Sequence, residues 1–254
     1  MSNQSVKNVL WWICLLVAPA VLLAIELFHP AGFTKTPGMY QYLSKPEPYD
    51  AQFEALGYFG PNWWFTMHMI QTPMVGLVAV GLWLMVDRID DADGTIAAAI
   101  AWLSRAATFV FLIYYTVLDA IGGIGLGRSI LQLETLQANG MSPDQASGAM
   151  TLLNALWQDE WAGGVNSYIS LTGSWAAFAA ASLVALALLL ARRAPWPPLI
   201  VLVGFGWELQ ERHAMLNGPI AFGLLIVASV WLWWSWRRTE QQSRAGAIPL
   251  RNGA

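Results

Sequence analysis

The stretch Gly204-Phe205-Gly206-Trp207-Glu208-Leu209-Gln210-Glu211-Arg212-His213 sets four ionisable side chains in a run that otherwise reads, over 198–216, as a membrane-spanning helix. An ionisable group at the centre of such a helix costs on the order of 2.5–3.5 kcal/mol on insertion scales, so it marks a place where partners and a function are expected. Glu208 and Arg212 stand at i and i+4 with the acid first, the favourable order for an ion pair along a helix. That pair would neutralise one acid and the arginine. Glu211 and His213 are left over, and His213 lies about 140° around the helix from Glu208, so it addresses a different neighbour.

Outward from this stretch the chain is apolar throughout. Of 254 residues, 56% are hydrophobic, 11% are charged and 15 are Trp, with a mean hydropathy of +0.47; soluble domains carry roughly 25% charged residues. The expected fold is an all-α integral membrane protein, one domain over 1–238, with six transmembrane helices, an extracytoplasmic loop and an amphipathic surface helix. A net charge of -3 lacks the basic footprint that nucleic acid requires. The single cysteine, Cys14, lies inside an apolar run, where it forms no intramolecular disulfide and reads as a small buried hydrophobe.

The spans read as 9–28, 63–86, 100–124, 168–191, 198–216 and 219–236, near the length of about 20 residues that a bilayer core demands. The first run continues past Ala18-Pro19-Ala20 to Phe28, which argues for a span over a cleaved signal peptide, and Pro30 ends it. A long loop from Pro30 to Asn62, rich in Pro, Gly and Tyr, has a short helix near 49–56 and the aromatic content of an ordered cap. In the second span His68, Gln71 and Thr72 share a face, and Pro73 frees a backbone carbonyl near His68.

The third run, Ile96 to Gly127, has 32 residues and would extend roughly 48 Å, so Arg105 belongs near the headgroups and Tyr114, Tyr115 and Asp119 towards the far end. Gly122-Gly123-Ile124-Gly125-Leu126-Gly127 follows a helix, not a strand, and reads as close helix packing through Gly123 and Gly127 or as a helix end. Ser142, Pro143 and Gln145 form a capping-box start for an amphipathic helix over 143–161, with Ala146, Ala149, Met150, Leu153, Leu156, Trp157 and Trp161 on one stripe. The stretch 239–254 is polar without an apolar face and reads as a disordered cytoplasmic tail.

Lys7, Arg88, Arg105, Arg192, Arg193, Arg237 and Arg238 fall on one side together with the arginines of the tail, against Lys35, Lys45, Arg128 and Arg212 on the other. By the positive-inside rule the protein is integral to the cell membrane with both termini cytoplasmic. All three histidines then lie in the outer half, and His213 comes to a depth close to that of His68.

The expected function is an outward-facing histidine and carboxylate pocket that binds a small hydrophobic or lipidic ligand, with membrane lipids as the other partners. A metal-dependent hydrolase or oxidase is the first alternative: Glu26, His29, His68, Glu211 and His213 supply nitrogen and oxygen ligands suited to zinc, iron or manganese. In that reading Glu208, Glu211, His213 and Asp119 are the catalytic candidates. A haem subunit is the second alternative, with His68 and His213 as axial ligands.

Overall fold

The computed structural model describes residues 3–29, 61–164, 166–213 and 216–246, and every regular element among them is helical. Helix α1 (Asn3–Trp12) passes through a π-helical turn (Ile13–Val17) into α2 (Ala18–Glu26). After α3 (Pro61–Met85), α4 (Thr95–Leu118) runs through a second π-helical segment (Asp119–Gly125) into α5 (Leu126–Ala138). The remaining helices are α6 (Pro143–Trp157), α7 (Tyr168–Leu190), α8 (Trp196–Glu211) and α9 (Asn217–Gly246).

Among the described residues five helical stretches are long and apolar enough to cross a membrane: Ser5–Glu26, Asn62–Met85, Thr95–Ala138, Tyr168–Leu190 and Asn217–Arg238. The expected fifth span differs. Helix α8 has 16 residues, roughly 24 Å, which falls short of an approximately 30 Å hydrocarbon core. It stops because Arg212 is extended, at φ -171 and ψ 140.

The helices pack as a closed ring in which α2 meets α3, α3 meets α4, α4 meets α7, α7 meets α8, α8 meets α9, and α9 returns to α2. Small buried residues of α7, among them Ala176, Ala177, Ala180 and Ala181, let neighbouring backbones approach; in lipid such close packing replaces the hydrophobic drive that water provides. Bulk fills the interior elsewhere, as where Phe205 and Phe222 join α8 to α9 with ring centroids 6.2 Å apart. Large apolar side chains such as Trp102, Phe109, Ile200 and Val227 stay on the outside.

Charge collects at the end of the ring where the chain begins. Lys7 pairs with Asp87, and Arg193 with Asp93 at 2.7 Å. Arg193 holds the Asp93 carboxyl below the ordinary aspartate value of 3.8 by donating a hydrogen bond to it. Arg105 is buried and donates to the Val86 carbonyl at 2.8 Å, just past α3, with its guanidinium 4.6 Å over the Trp102 ring. A cation there satisfies a carbonyl that the helix end leaves without a helical partner. Trp11 and Trp12 stack with Trp233 and Trp236 at the same end, and Trp236 Nε1 donates to the Arg193 carbonyl.

Three boundaries differ from expectation. The third helix continues past Gly127 to Ala138. The amphipathic helix starts at the expected capping box, where the Gln145 N–H donates to Ser142 Oγ and the Ser142 N–H to Gln145 Oε1. It ends at Trp157, because the Asp159 carboxylate accepts from the Trp161 and Ala162 N–H groups and the Gly164 N–H folds back to the Trp157 carbonyl. Of the expected stripe Ala146 is buried, Ala149, Met150, Leu153 and Trp157 are half-buried, and Leu156 and Trp161 are exposed. Helix α9 continues through Gly246, so the first part of the stretch read as a disordered tail is helical. The expected cap, with its short helix over 49–56, lies outside the described residues.

Candidate functional site

At the opposite end of the ring, the first turns of α3 carry Trp64, His68, Gln71 and Thr72 inward. His68 Nδ1 stands 2.7 Å from the Trp64 carbonyl; a carbonyl only accepts, so Nδ1 carries the proton and Nε2 keeps its lone pair. The Thr72 hydroxyl lies 2.9 Å from the His68 carbonyl and 3.3 Å from Asp119 Oδ2. Asp119 opens the π-helical segment, a local widening of a kind often found at functional sites. Within that segment the Gly122 carbonyl accepts a hydrogen bond from Trp64 Nε1 at 3.0 Å.

Gly123 explains how two backbones come this close. A Cβ added there would stand 2.2 Å from both Cγ and Cδ2 of His68. No other residue type leaves room for the imidazole.

The end of α2 and the turn after α8 complete the cluster. His29 follows Glu26 by one turn and places its ring 5.3 Å from Trp64, 5.5 Å from His68 and 4.9 Å from His213. The His213 ring lies 5.6 Å from that of Tyr115. Leu216, at φ 80, turns the chain through the left-handed region that bulky residues avoid. Gly218 then brings α9 alongside: a Cβ there would fall 1.7 Å from the His213 carbonyl oxygen and 3.3 Å from Cβ of Glu26. Above Trp64 lies Trp157 of α6, with ring centroids 6.1 Å apart.

Glu26, His29, His68, Gln71, Tyr115 and Asp119 are each 3% exposed or less. Glu26 and Asp119 are near enough for their charges to interact. Among the described residues no hydrogen-bond donor reaches Oε1 or Oε2 of Glu26, or Oδ1 of Asp119. Buried acceptors without donors are costly, of order 1–3 kcal/mol each and more when charged, so they point to something that supplies the missing donors.

The structure thus gathers Glu26, His29, His68, Asp119 and His213, all five of them anticipated, from four separate parts of the chain. It does not gather Glu208 and Glu211. Glu208 Oε2 accepts from Asn217 Nδ2 at 2.7 Å, Glu211 is exposed, and Arg212 has left the helix with its side chain exposed, so the expected Glu208 to Arg212 pair is not made. Among the described residues no group of three or more His, Cys, Asp or Glu side chains is arranged to hold a metal ion. The haem reading meets a steric objection, since the His29 ring lies against both His68 and His213 where a porphyrin would have to pass.

Trp64, Gln71 and Tyr115 belong to the site but were not among the catalytic, cofactor or metal candidates. The i, i+3, i+4 face shared by His68, Gln71 and Thr72 was the available signal for the glutamine; nothing distinguished the two aromatics from ordinary membrane-helix residues. No family model, curated protein or solved structure matches this chain. The reading of the site therefore rests on its own residues.

Proposed function

We propose that the ring is a six-helix membrane bundle, with α8 as its short member, both termini in the cytoplasm and the site in the outer half, and that the site binds a small hydrophobic or lipidic molecule through its polar group. The observation that carries this reading is the convergence of all three histidines of the chain with Glu26 and Asp119 in the ring interior, with carboxyl oxygens left lacking donors. Apolar walls with a few convergent polar groups are the usual make-up of a small-molecule site. The orientation is supported by Lys7, Arg105 and Arg193 at the opposite end, beside short turns, as the positive-inside rule requires.

Native mass spectrometry of the full chain released from detergent tests the binding. A co-purifying molecule should be present with the natural chain and lost with His213→Ala; equal loading of the two would overturn the proposal. For the orientation, cysteines at Ser147 and Asp91, both exposed, are introduced with Cys14→Ala. An impermeant reagent outside the cell should label the first and spare the second.

A metal-dependent enzyme is the second reading. It is favoured by one observation, the His68 Nδ1 donation to a backbone carbonyl, a partnership that metal-bound histidines commonly use. Metal analysis of the purified protein decides it.

A further inference from the structure

The site is rich in acceptors and poor in cations. Glu26 offers two carboxyl oxygens and Asp119 one that no donor among the described residues reaches, and His68 keeps a lone pair on Nε2 because its Nδ1 is committed to the Trp64 carbonyl. Among the described residues no lysine or arginine belongs to the cluster. Arg212, which adjoins His213 in the chain, has an exposed side chain, and Arg128 lies 5.3 Å over the Phe65 ring, also exposed. The start of α9 beside Glu26 brings only the partial positive charge of a helix end. An ammonium supplies several hydrogen-bond donors and a compensating positive charge in one group, which is what these buried carboxyl oxygens lack.

The walls suit a cation as well. Trp64 and Tyr115 are buried beside the histidines, and aromatic rings attract positive charge, especially where water is excluded.

We propose that the group this site takes is positively charged, an ammonium carried by a hydrophobic molecule, which donates to the carboxyls of Glu26 and Asp119 and rests against Trp64 and Tyr115. This rests on the small-molecule reading above and specifies the charge of the ligand. A divalent metal ion shares the chemistry of positive charge. The ammonium is preferred because the His, Asp and Glu donors are not gathered on one point.

The test uses the full chain purified in an uncharged detergent and three short amphiphiles of equal length: hexylammonium, hexanol and hexanoate. Isothermal titration should show saturable binding of hexylammonium at least tenfold tighter than of the other two, with the preference lost in Glu26→Gln with Asp119→Asn. If that double variant does not fold, Asp119→Asn alone serves, since its amide oxygen still accepts from Thr72. Zinc and manganese are titrated in parallel. A stoichiometric metal that blocks hexylammonium and is lost in the same variants supports the cation assignment with a metal as its source. Preference for hexanoate, or ammonium binding unchanged in the variants, overturns it. Should the neutral or anionic probe bind and be lost in His213→Ala, the charge assignment falls while the small-molecule reading stands; if no probe depends on His213, Glu26 or Asp119, both fall.

Discussion

The imidazole of His68 lies directly on the backbone of Gly123, with no space between them for even a methyl group. Gly122, one residue earlier, would place a Cβ at 3.4 Å from Cζ3 of Trp157, close to ordinary contact. Gly123→Ala is therefore expected to destabilise the protein by about 1–3 kcal/mol, the usual cost of overpacking, and to abolish the proposed ligand binding by displacing His68. Gly122→Ala should cost much less. Thermal unfolding in detergent, run on both variants, measures the contrast.

Trp64 fastens the same interface from the other side, through its Nε1 donation to the Gly122 carbonyl. Trp64→Phe keeps an aromatic ring but removes the donor, leaving a buried carbonyl without it, together with part of the buried indole. The expected loss is about 1–3 kcal/mol, with helical content unchanged by circular dichroism.

Around the α8 to α9 turn, the hydrogen bond from Asn217 to Glu208 replaces the ion pair that spacing alone suggested. Arg212→Ala should thus leave stability within about 0.5 kcal/mol, as for an ordinary surface change. Glu208→Ala should cost about 1–3 kcal/mol by stranding the Asn217 amide, whereas Glu208→Gln retains an acceptor and should cost less. Urea or thermal unfolding of the three variants orders them; an Arg212→Ala loss as large as that of Glu208→Ala would contradict this arrangement.

At the other end of the ring, Asp93 and Arg193 give a pH dependence of defined sign. The carboxyl is held below its ordinary value, so the bond stabilises the fold at pH above 3.8 and is lost as pH falls through the lowered folded value. Because the Arg193 side chain is half exposed, Asp93→Asn should cost only about 0.2–1 kcal/mol at neutral pH. The difference from the natural chain should vanish in strong acid and shrink in high salt. Thermal melts across pH and salt check both trends.

The apolar runs and the charges within them were legible in the sequence, because a carboxyl or imidazole in a hydrophobic stretch stands out whatever its surroundings. Glu26, His29, His68, Asp119 and His213 were identifiable for that reason. Glu208 and Glu211 looked equally anomalous and proved peripheral, since hydrophobic periodicity gave no sign that α8 would stop at Glu211 and release Arg212. The π-helical segment at Asp119–Gly125 has no propensity signature, so the glycines there announced close packing without naming His68 as what they pack against. The helix beyond Gly127 was missed because its residues are polar and the expected bilayer boundary ended the span there.

The return of α9 to α2 also bears on how the protein is made. Glu26 emerges from the ribosome roughly 190 residues before α9 begins, an interval of about 10–40 s at common synthesis rates. Until then the closing turn and the helix that flanks Glu26 do not exist, and α2 has α3 but not α9 to pack against. The nascent chain must shelter a carboxyl whose final enclosure arrives last, which makes the closing hairpin the step on which biogenesis of the site depends.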